Sequence, residues 1–290
     1  MATVRNARSA TGVAAALVLI GCSSSHLVTE RGVVWTGAPS DHESNTSWTA
    51  QPTYLVLRDG TRRALGLGSM EGIEEPNVRW IVARQGVVPD YDTNITDRGH
   101  GALRMMLRYR AADPSGGWWD GDQRTDRHDR QRAEVKGLGP HQKEGETYEY
   151  GTTFRTDPDF RATDRFCHIM QIKATDGDKG MPLVTLSLRR DGIGVLQYAS
   201  GKDAFRTART FHWSPGRWTK VRFRLTVSQR GHGALLLSVD GGAFAGVRDV
   251  AIYRPDASDY RPKWGLYRAI APTLHDDWVE HRNLSVKRLS

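Results

Sequence analysis

Three short stretches, far apart in the chain, place polar side chains capable of chemistry at every second position. They are Arg132-Ala-Glu134-Val-Lys136, Gln171-Ile-Lys173 and Lys263-Trp-Gly265-Leu-Tyr267. A β-strand sends successive side chains to opposite faces. As strands, the three stretches would turn Arg132, Glu134, Lys136, Gln171, Lys173, Lys263 and Tyr267 to one wet face. Ala133, Val135, Ile172, Trp264 and Leu266 would then face a core. Cations, an amide and a phenol on one surface suit an anionic substrate and proton transfer at a carbon acid.

The elements that must hold these residues are legible as short β-like runs separated by Gly, Asp, Asn and Pro. They cover residues 53–57, 78–84, 102–109, 133–136, 148–155, 167–173, 183–189, 194–198, 218–228, 234–239, 263–268 and 283–289. No long amphipathic helical pattern and no internal repeat accompany them, which predicts an all-β sandwich and disfavours a propeller or solenoid. Val221, Phe223, Leu225 and Val227 alternate with Arg222, Arg224 and Thr226, so one side of that strand must be buried. Asp240-Gly241-Gly242 ends the next strand in a tight turn. Gly216-Arg-Trp218 through Val247 is similar in pattern to jelly-roll, lectin-like domains. The arginine-rich segment 118–132 interrupts the β pattern and reads as a long loop at the rim.

The N-terminus has the pattern of an export signal. Arg5 and Arg8 precede an apolar run over residues 13–20, followed by Gly21-Cys22. That run is too short for a permanent transmembrane helix and fits a signal-peptide core. Leu19-Ile-Gly-Cys22 resembles a bacterial lipobox, in which Cys22 would be lipidated and become the mature N-terminus; plain secretion with cleavage nearby is the alternative. The expected organisation is a signal peptide over 1–21, a Ser-, Thr- and Gly-rich tether over 22–50 and one β domain over 51–290.

Cys167 is the one cysteine besides Cys22, so no intramolecular disulfide is expected despite export, and within Arg165-Phe-Cys-His-Ile169 it reads as a small core residue in preference to a nucleophile. The formal charge is +8, and loss of Arg5 and Arg8 with the signal leaves +6. For a basic exported monomer, the expected partner is an acidic polysaccharide, not nucleic acid, with membrane contact only through the lipid anchor.

Together, the three polar motifs resemble those of polysaccharide lyases with a β-jelly-roll fold, including alginate lyases and the glucuronan- and heparin-lyase-like families. Alginate lyases of this fold carry Arg-x-Glu-x-Arg, Gln-Ile/Val-His and Tyr-Phe-Lys-Ala-Gly-x-Tyr in that order. The order is kept here, over a stretch from about Ala102 to the C-terminus. The resemblance implies two curved antiparallel sheets with a concave substrate cleft, and cleavage of a uronate-containing glycan by β-elimination. Lys136 replaces the second arginine, keeping the charge but losing the planar fork. Lys173 stands where those enzymes place a histidine, so a histidine base does not carry over to that position. The ending Lys263-Trp-Gly265-Leu-Tyr267-Arg268 is closer to the glucuronan- and heparin-lyase-like branch, which favours glucuronate over alginate. A non-catalytic module that binds acidic glycans and an alginate-specific lyase are the alternative readings.

Uronate β-elimination removes the proton at C5 and expels the oxygen at C4. Arg132, Gln171 and Lys173 are candidates to hold the growing enolate-like charge. Tyr267 is the candidate base, and in β-1,4-linked glucuronate or mannuronate it could also protonate the leaving oxygen, because H5 and O4 share a face. Its phenol needs a nearby cation to ionise, and Lys263, four residues earlier on the same strand face, is the expected partner; Arg268 should point the other way. Glu134, between two cations, most simply orients them through ion pairs, and direct acid–base work is its other reading. Lys136 and Lys263 are assigned to substrate binding.

His128 is the alternative base if the strand extends back to it; simple solvent exposure competes with that role. His168 has opposite parity from Gln171 and reads as core or rim packing. Trp118 and Trp119 either stack on sugar rings or anchor the long loop. Asp120-Gly-Asp122 and Asp176-Gly-Asp178 could offer oxygens to Ca²⁺, but neither completes an EF-hand and both read as ordinary turns, so no cofactor is expected. The chain lacks HExxH, a CxxC pair, a Walker loop, GxSxG and the Glu-x-Asp-x-x-Glu strand of jelly-roll glycosidases.

Overall fold

The structure, a computed structural model, describes residues 54–56, 62–64, 72–74, 95–98, 102–107, 130–137, 140–271 and 273–290. Strands β1 (Tyr54–Val56) and β2 (Arg62–Ala64) form a separate hairpin. The remaining strands make two antiparallel sheets. The eight-stranded sheet contains β3 (Gly72–Glu74), β6 (Arg130–Lys136), β7 (Gln142–Lys143), β9 (Cys167–Ala174), β10 (Val184–Leu188), β11 (Ile193–Tyr198), β12 (Arg206–His212) and β16 (Asp259–Ala269). Its order is β12-β11-β10-β9-β16-β6-β3, with β7 pairing the start of β16. The seven-stranded sheet contains β4 (Ile95–Asp97), β5 (Leu103–Leu107), β8 (Thr147–Thr156), β13 (Thr219–Thr226), β14 (Ser228–Val239), β15 (Ala245–Ile252) and β17 (Asp277–Arg288), in the order β15-β14-β13-β8-β17-β5-β4. This is the expected all-β jelly roll, and no described residue is helical.

The core lies between the sheets and follows the period-two pattern. Ala133, Val135, Met170, Ile172, Leu186, Trp264 and Leu266 point into it from the eight-stranded sheet, and Tyr150, Phe154, Val221, Phe223, Leu225 and Val279 from the other. Each such Phe, Leu or Val contributes about 1.5–3 kcal/mol by leaving water. Arg222 and Arg224 emerge on the opposite side of β13 and pair with Glu149 at 3.4 and 2.8 Å, as their alternation requires. Cys167 is buried, and loss of solvent pushes its thiol up to about 12, consistent with a core residue.

The loop expected over 118–132 gives way to strand at Arg130, where β6 begins three residues before the expected run. The run at 78–84 lies outside the described residues. Strands β2, β3, β4, β7, β12 and β15 were not among the expected runs; of these, β12 and β15 are each an outermost strand of a sheet. Most of their side chains remain at least partly exposed, so no buried face imposes an alternation on them. The turn after β14 forms as expected: Asp240 and Gly241 take positive φ of 48° and 84°, and Gly242 N donates to Val239 O at 2.9 Å.

Two buried polar links cross the core to the strand that carries Tyr267. Arg268, pointing away from Tyr267 as its parity predicts, forms a fully buried ion pair with Asp277 on β17 and donates to Gln131 Oε1 at 3.2 Å. Nearby, His281 on β17 sits with Nδ1 3.1 Å from Thr152 Oγ1 and Nε2 3.3 Å from Gly265 O. Burial lowers its pKa to about 4, so the ring is neutral. Nε2–H therefore donates to the Gly265 carbonyl, and Nδ1 accepts from the Thr152 hydroxyl.

Candidate active site

The three polar motifs occupy three adjacent strands, in the spatial order β9-β16-β6. On the β6 side, Lys263 lies opposite Lys136, Gly265 opposite Glu134, and Tyr267 opposite Arg132. On the β9 side, Lys263 lies opposite Gln171 and Arg261 opposite Lys173. All seven motif residues thus share the face turned away from the core. They form a packed polar layer more than an open wet surface: Glu134, Lys136, Gln171 and Lys263 are each at most 2% exposed, while Lys173 is half-buried.

Gly265 makes this close pairing possible. Its φ is 157°, and a Cβ placed there would sit 2.1 Å from Ala133 O and 2.7 Å from Glu134 Cα. No other residue fits against β6 at this point without moving its backbone.

Glu134 is the hub of the layer. Its Oε1 accepts a short hydrogen bond from Gln171 Nε2, and its Oε2 lies 3.7 Å from Lys263 Nζ and 3.9 Å from an Arg132 nitrogen. One carboxylate therefore ties together residues from all three strands, with Arg132 as one of its two expected cations and Lys263 of β16 where the flanking Lys136 was expected. Oε2 has no conventional hydrogen bond, so its partners act through charge at slightly longer range.

Tyr267 has different cation partners from the one expected. Lys263 is committed to Glu134, whereas the Arg132 guanidinium lies over the Tyr267 ring at 4.3 Å and Arg130 Nη1 donates to the phenol oxygen at 3.0 Å. The reason is the register: Arg132 is the direct cross-strand neighbour of Tyr267, while Lys263 lies two side-chain steps away along its own strand. Burial raises the phenol pKa, and Arg132 and Arg130 oppose that rise.

His168 also departs from expectation. Its parity relative to Gln171 assigned it to the core or rim, but β9 carries an extra residue at this point. Thr185 pairs with Gln171 and Leu186 with Met170, and then Ser187 pairs with His168, skipping Ile169. A β-bulge of this kind resets which face the side chains point to. His168 therefore joins the polar face, opposite Tyr267 in the register. Its Nδ1 lies 2.8 Å from Ser187 Oγ, and its ring is 5.9 Å from that of Tyr267 and stacked at 5.0 Å on Phe166. Burial, followed by the charge of Arg189, lowers its pKa to about 3, so it is a neutral imidazole.

The structure thus brings together Tyr267, Arg132, Gln171, Lys173, Lys136, Lys263 and Glu134. His128, Trp118, Trp119, Cys22 and the Asp120-Gly-Asp122 turn lie outside the described residues. Asp176 and Asp178 are engaged by protein donors: Asp176 accepts from Ser258 and from Asp259 N, while Asp178 pairs with Arg254 and accepts from Gly180 N. Among the described residues no cluster of three His, Cys, Asp or Glu side chains is arranged to hold a metal ion.

Three residues on this face escaped the sequence reading. Arg130 and Arg261 could have been found by carrying the alternation two residues back from Arg132 and Lys263. His168 could not, because nothing local marks the bulge.

A two-sheet jelly roll with a cationic, phenol-bearing layer on one sheet is the class of protein these features define. The chain belongs to the polysaccharide lyase family, whose model, described as Polysaccharide lyase, matches residues 72–282. It is accordingly an enzyme acting on polysaccharides. No curated protein matches it in sequence. Among solved structures it is similar to an endo-β-1,4-glucuronan lyase from the fungus Trichoderma reesei, with 19% identity and a TM-score of 0.52 over 75% of this chain and 95% of that one. It is also similar to the family 7 alginate lyase A1-II' in complex with substrate, with 16% identity and a TM-score of 0.51 over 74% and 91% of the two chains. At these identities the likeness establishes a shared fold.

Proposed function

We propose that the protein cleaves a uronate-containing acidic glycan, of glucuronate type, by β-elimination, with Tyr267 as the proton-transfer group. The observation that carries this reading is the setting of Tyr267. Its oxygen accepts from Arg130, its ring lies under Arg132, and Glu134 and Gln171 occupy the same buried layer. A desolvated phenolate is a strong base, suited to a weakly acidic C–H, and two guanidinium groups offset the cost of forming it.

In the proposed step, the ionised Tyr267 oxygen takes the proton from C5. The released electron pair forms the C4–C5 double bond through an enolate-like carboxylate, and the bond from C4 to O4 breaks. The same phenol then returns its proton to O4. Arg132 and Gln171 are assigned to the substrate carboxylate, where charge grows towards the transition state. Gln171 can serve both Glu134 and substrate, because its amide nitrogen carries two N–H bonds. Lys173 and Arg261, opposite each other at the next register position, extend the cationic surface along the strands. Glu134 fixes the geometry of Arg132, Lys263 and Gln171. Export through residues 1–21 and lipidation at Cys22 would place this activity at the cell envelope.

The test is incubation with polyglucuronate, polymannuronate and polyguluronate at matched length and salt, read by ultraviolet absorbance of the unsaturated product. Polyglucuronate should be cleaved fastest, and polyguluronate, whose H5 and O4 lie on opposite faces, slowest. Absence of product from every uronate glycan would refute the lyase chemistry. A clear preference for polyguluronate would refute the single-tyrosine mechanism.

A further inference from the structure

Beyond the polar layer, a cavity of about 380 Å³ opens at the end of the eight-stranded sheet. Its lining includes Phe160, Arg161, Arg189, Arg190, Trp213 and Thr273, and no carboxylate is among the lining side chains. The three arginines are not equivalent. Arg190 bonds Thr273 Oγ1 at 2.8 Å and pairs with Asp164 at 3.2 Å, while Arg161 Nη1 donates to Thr273 O at 3.3 Å. These contacts fix one wall. The half-buried Arg189 side chain has no ion pair or hydrogen bond to any described residue. Trp213, in the same wall, buries an indole Nε1 with no hydrogen-bond partner.

Position links the cavity to the proposed reaction. Arg189 follows β10 and continues the alternation that places Ser187 beside His168, and its charge is felt by His168. His168 in turn lies opposite Tyr267. Strands β16, β9 and β10 are consecutive neighbours, so Arg189 is two strand spacings, about 10 Å, from the strand of Tyr267. A pyranose ring is about as long as one strand spacing is wide. A glycan crossing the strands at Tyr267 would therefore bring a later sugar unit to this cavity, which is large enough for one.

We propose that this cavity binds a uronate unit of the acidic glycan, with Arg189 taking its carboxylate and the charge of Arg161 adding to the local potential, while the charge of Arg190 is balanced by Asp164. The inference rests on the acidic-glycan reading above, and it assigns a binding role to a residue outside the Tyr267 layer. Guanidinium suits this role because it meets a carboxylate through two parallel N–H bonds. Phe160 and Trp213 supply an apolar wall for the ring.

The experiment compares the full chain with Arg189→Ala, Arg189→Lys and Arg230→Ala, the last removing an exposed arginine on β14 of the other sheet. Affinities are measured calorimetrically with each chain also carrying Tyr267→Phe, so that the ligand is not consumed, for glucuronate oligosaccharides of two lengths, one long enough to span from residue 267 to the cavity and one too short, with neutral glucan oligosaccharides as the uncharged control; unsaturated product is read separately with Tyr267 intact. Arg189→Ala should weaken binding of the long oligosaccharide about tenfold, the equivalent of one charge-assisted contact. The short oligosaccharide should lose much less, and Arg189→Lys should recover part of the affinity. Arg230→Ala should match the parent. Equal losses at both lengths, or identical behaviour of Arg189→Ala and Arg230→Ala, would overturn the proposal. Production of unsaturated sugar with no length-dependent effect of Arg189 removes the cavity site and leaves the lyase reading standing. Length-dependent binding without unsaturated product does the reverse.

Discussion

Arg130 Nη1 donates a hydrogen bond to the phenol oxygen of Tyr267 at 3.0 Å, although the two residues are 137 positions apart in sequence. The contact exists because β6 and β16 run antiparallel with Arg130 opposite Ala269, one side-chain step beyond Tyr267 on the same face. Together with Arg132 over the ring, it surrounds the phenol with positive charge and opposes the effect of burial on its ionisation.

Tyr267→Phe should keep the fold, because the ring and its contacts with Phe166, His168 and Arg132 remain. Turnover should fall about 10²–10⁴-fold, the usual range for loss of a general acid–base group. Near-parental turnover in the folded variant would remove Tyr267 from the mechanism.

The pH dependence should carry the signature of the phenol. Its pKa is raised above 10 in the free protein, so the phenolate fraction, and with it kcat/KM, should climb as pH rises on the alkaline side. Arg130→Gln and Arg132→Gln each remove a contribution that lowers this pKa, so the rising limb should move to still higher pH. A limb that stays in place in both variants would mean that these cations do not act on the ionising group.

Glu134→Gln should destabilise the protein by about 3 kcal/mol, because it leaves the buried charges of Lys263 and Arg132 without their shared carboxylate. Denaturant unfolding at constant pH measures this, and a shift well below 1 kcal/mol would show that those cations are satisfied by other groups. Turnover should fall as well, since the substituted side chain no longer orients Arg132.

Gly265→Ala should cost about 1–3 kcal/mol of stability through the clash with Ala133 O, and should lower activity by shifting β16 two residues before Tyr267. Thermal melting and turnover, taken together, test this. A variant indistinguishable from the parent in both would show that β6 yields easily at this point.

Acid should weaken the fold through its buried histidines. The folded pKa of His281 is about 4, below the ordinary 6.5, so the unfolded chain binds the extra proton between those values. Stability is therefore complete above about pH 6.5 and declines as pH falls towards 4, by about 3 kcal/mol for this group. His168, lowered to about 3, adds to the same trend. Urea midpoints at pH 7 and pH 4.5 should differ less in His281→Asn than in the parent; equal differences would exclude His281 as a source of the acid sensitivity.

The sequence alone determined the parity of every regular strand at the site. Alternation put Arg132, Glu134 and Lys136 on one side and Ala133 and Val135 on the other, and the core strand Val221–Val227 was equally clear, because a half-buried strand records its two environments in adjacent residues. Edge strands β12 and β15 carry no such record, since neither of their faces is fully covered. What the tertiary structure decided was register. Only the pairing of β6 with β16 shows that Arg130 and Arg132, and not Lys263, attend Tyr267. Only the bulge beside Met170 turns His168 to the polar face. Both depend on which backbone groups bond across strands far apart in the chain, and that choice is made by the packing of the whole sheet, not by the residues within any one segment.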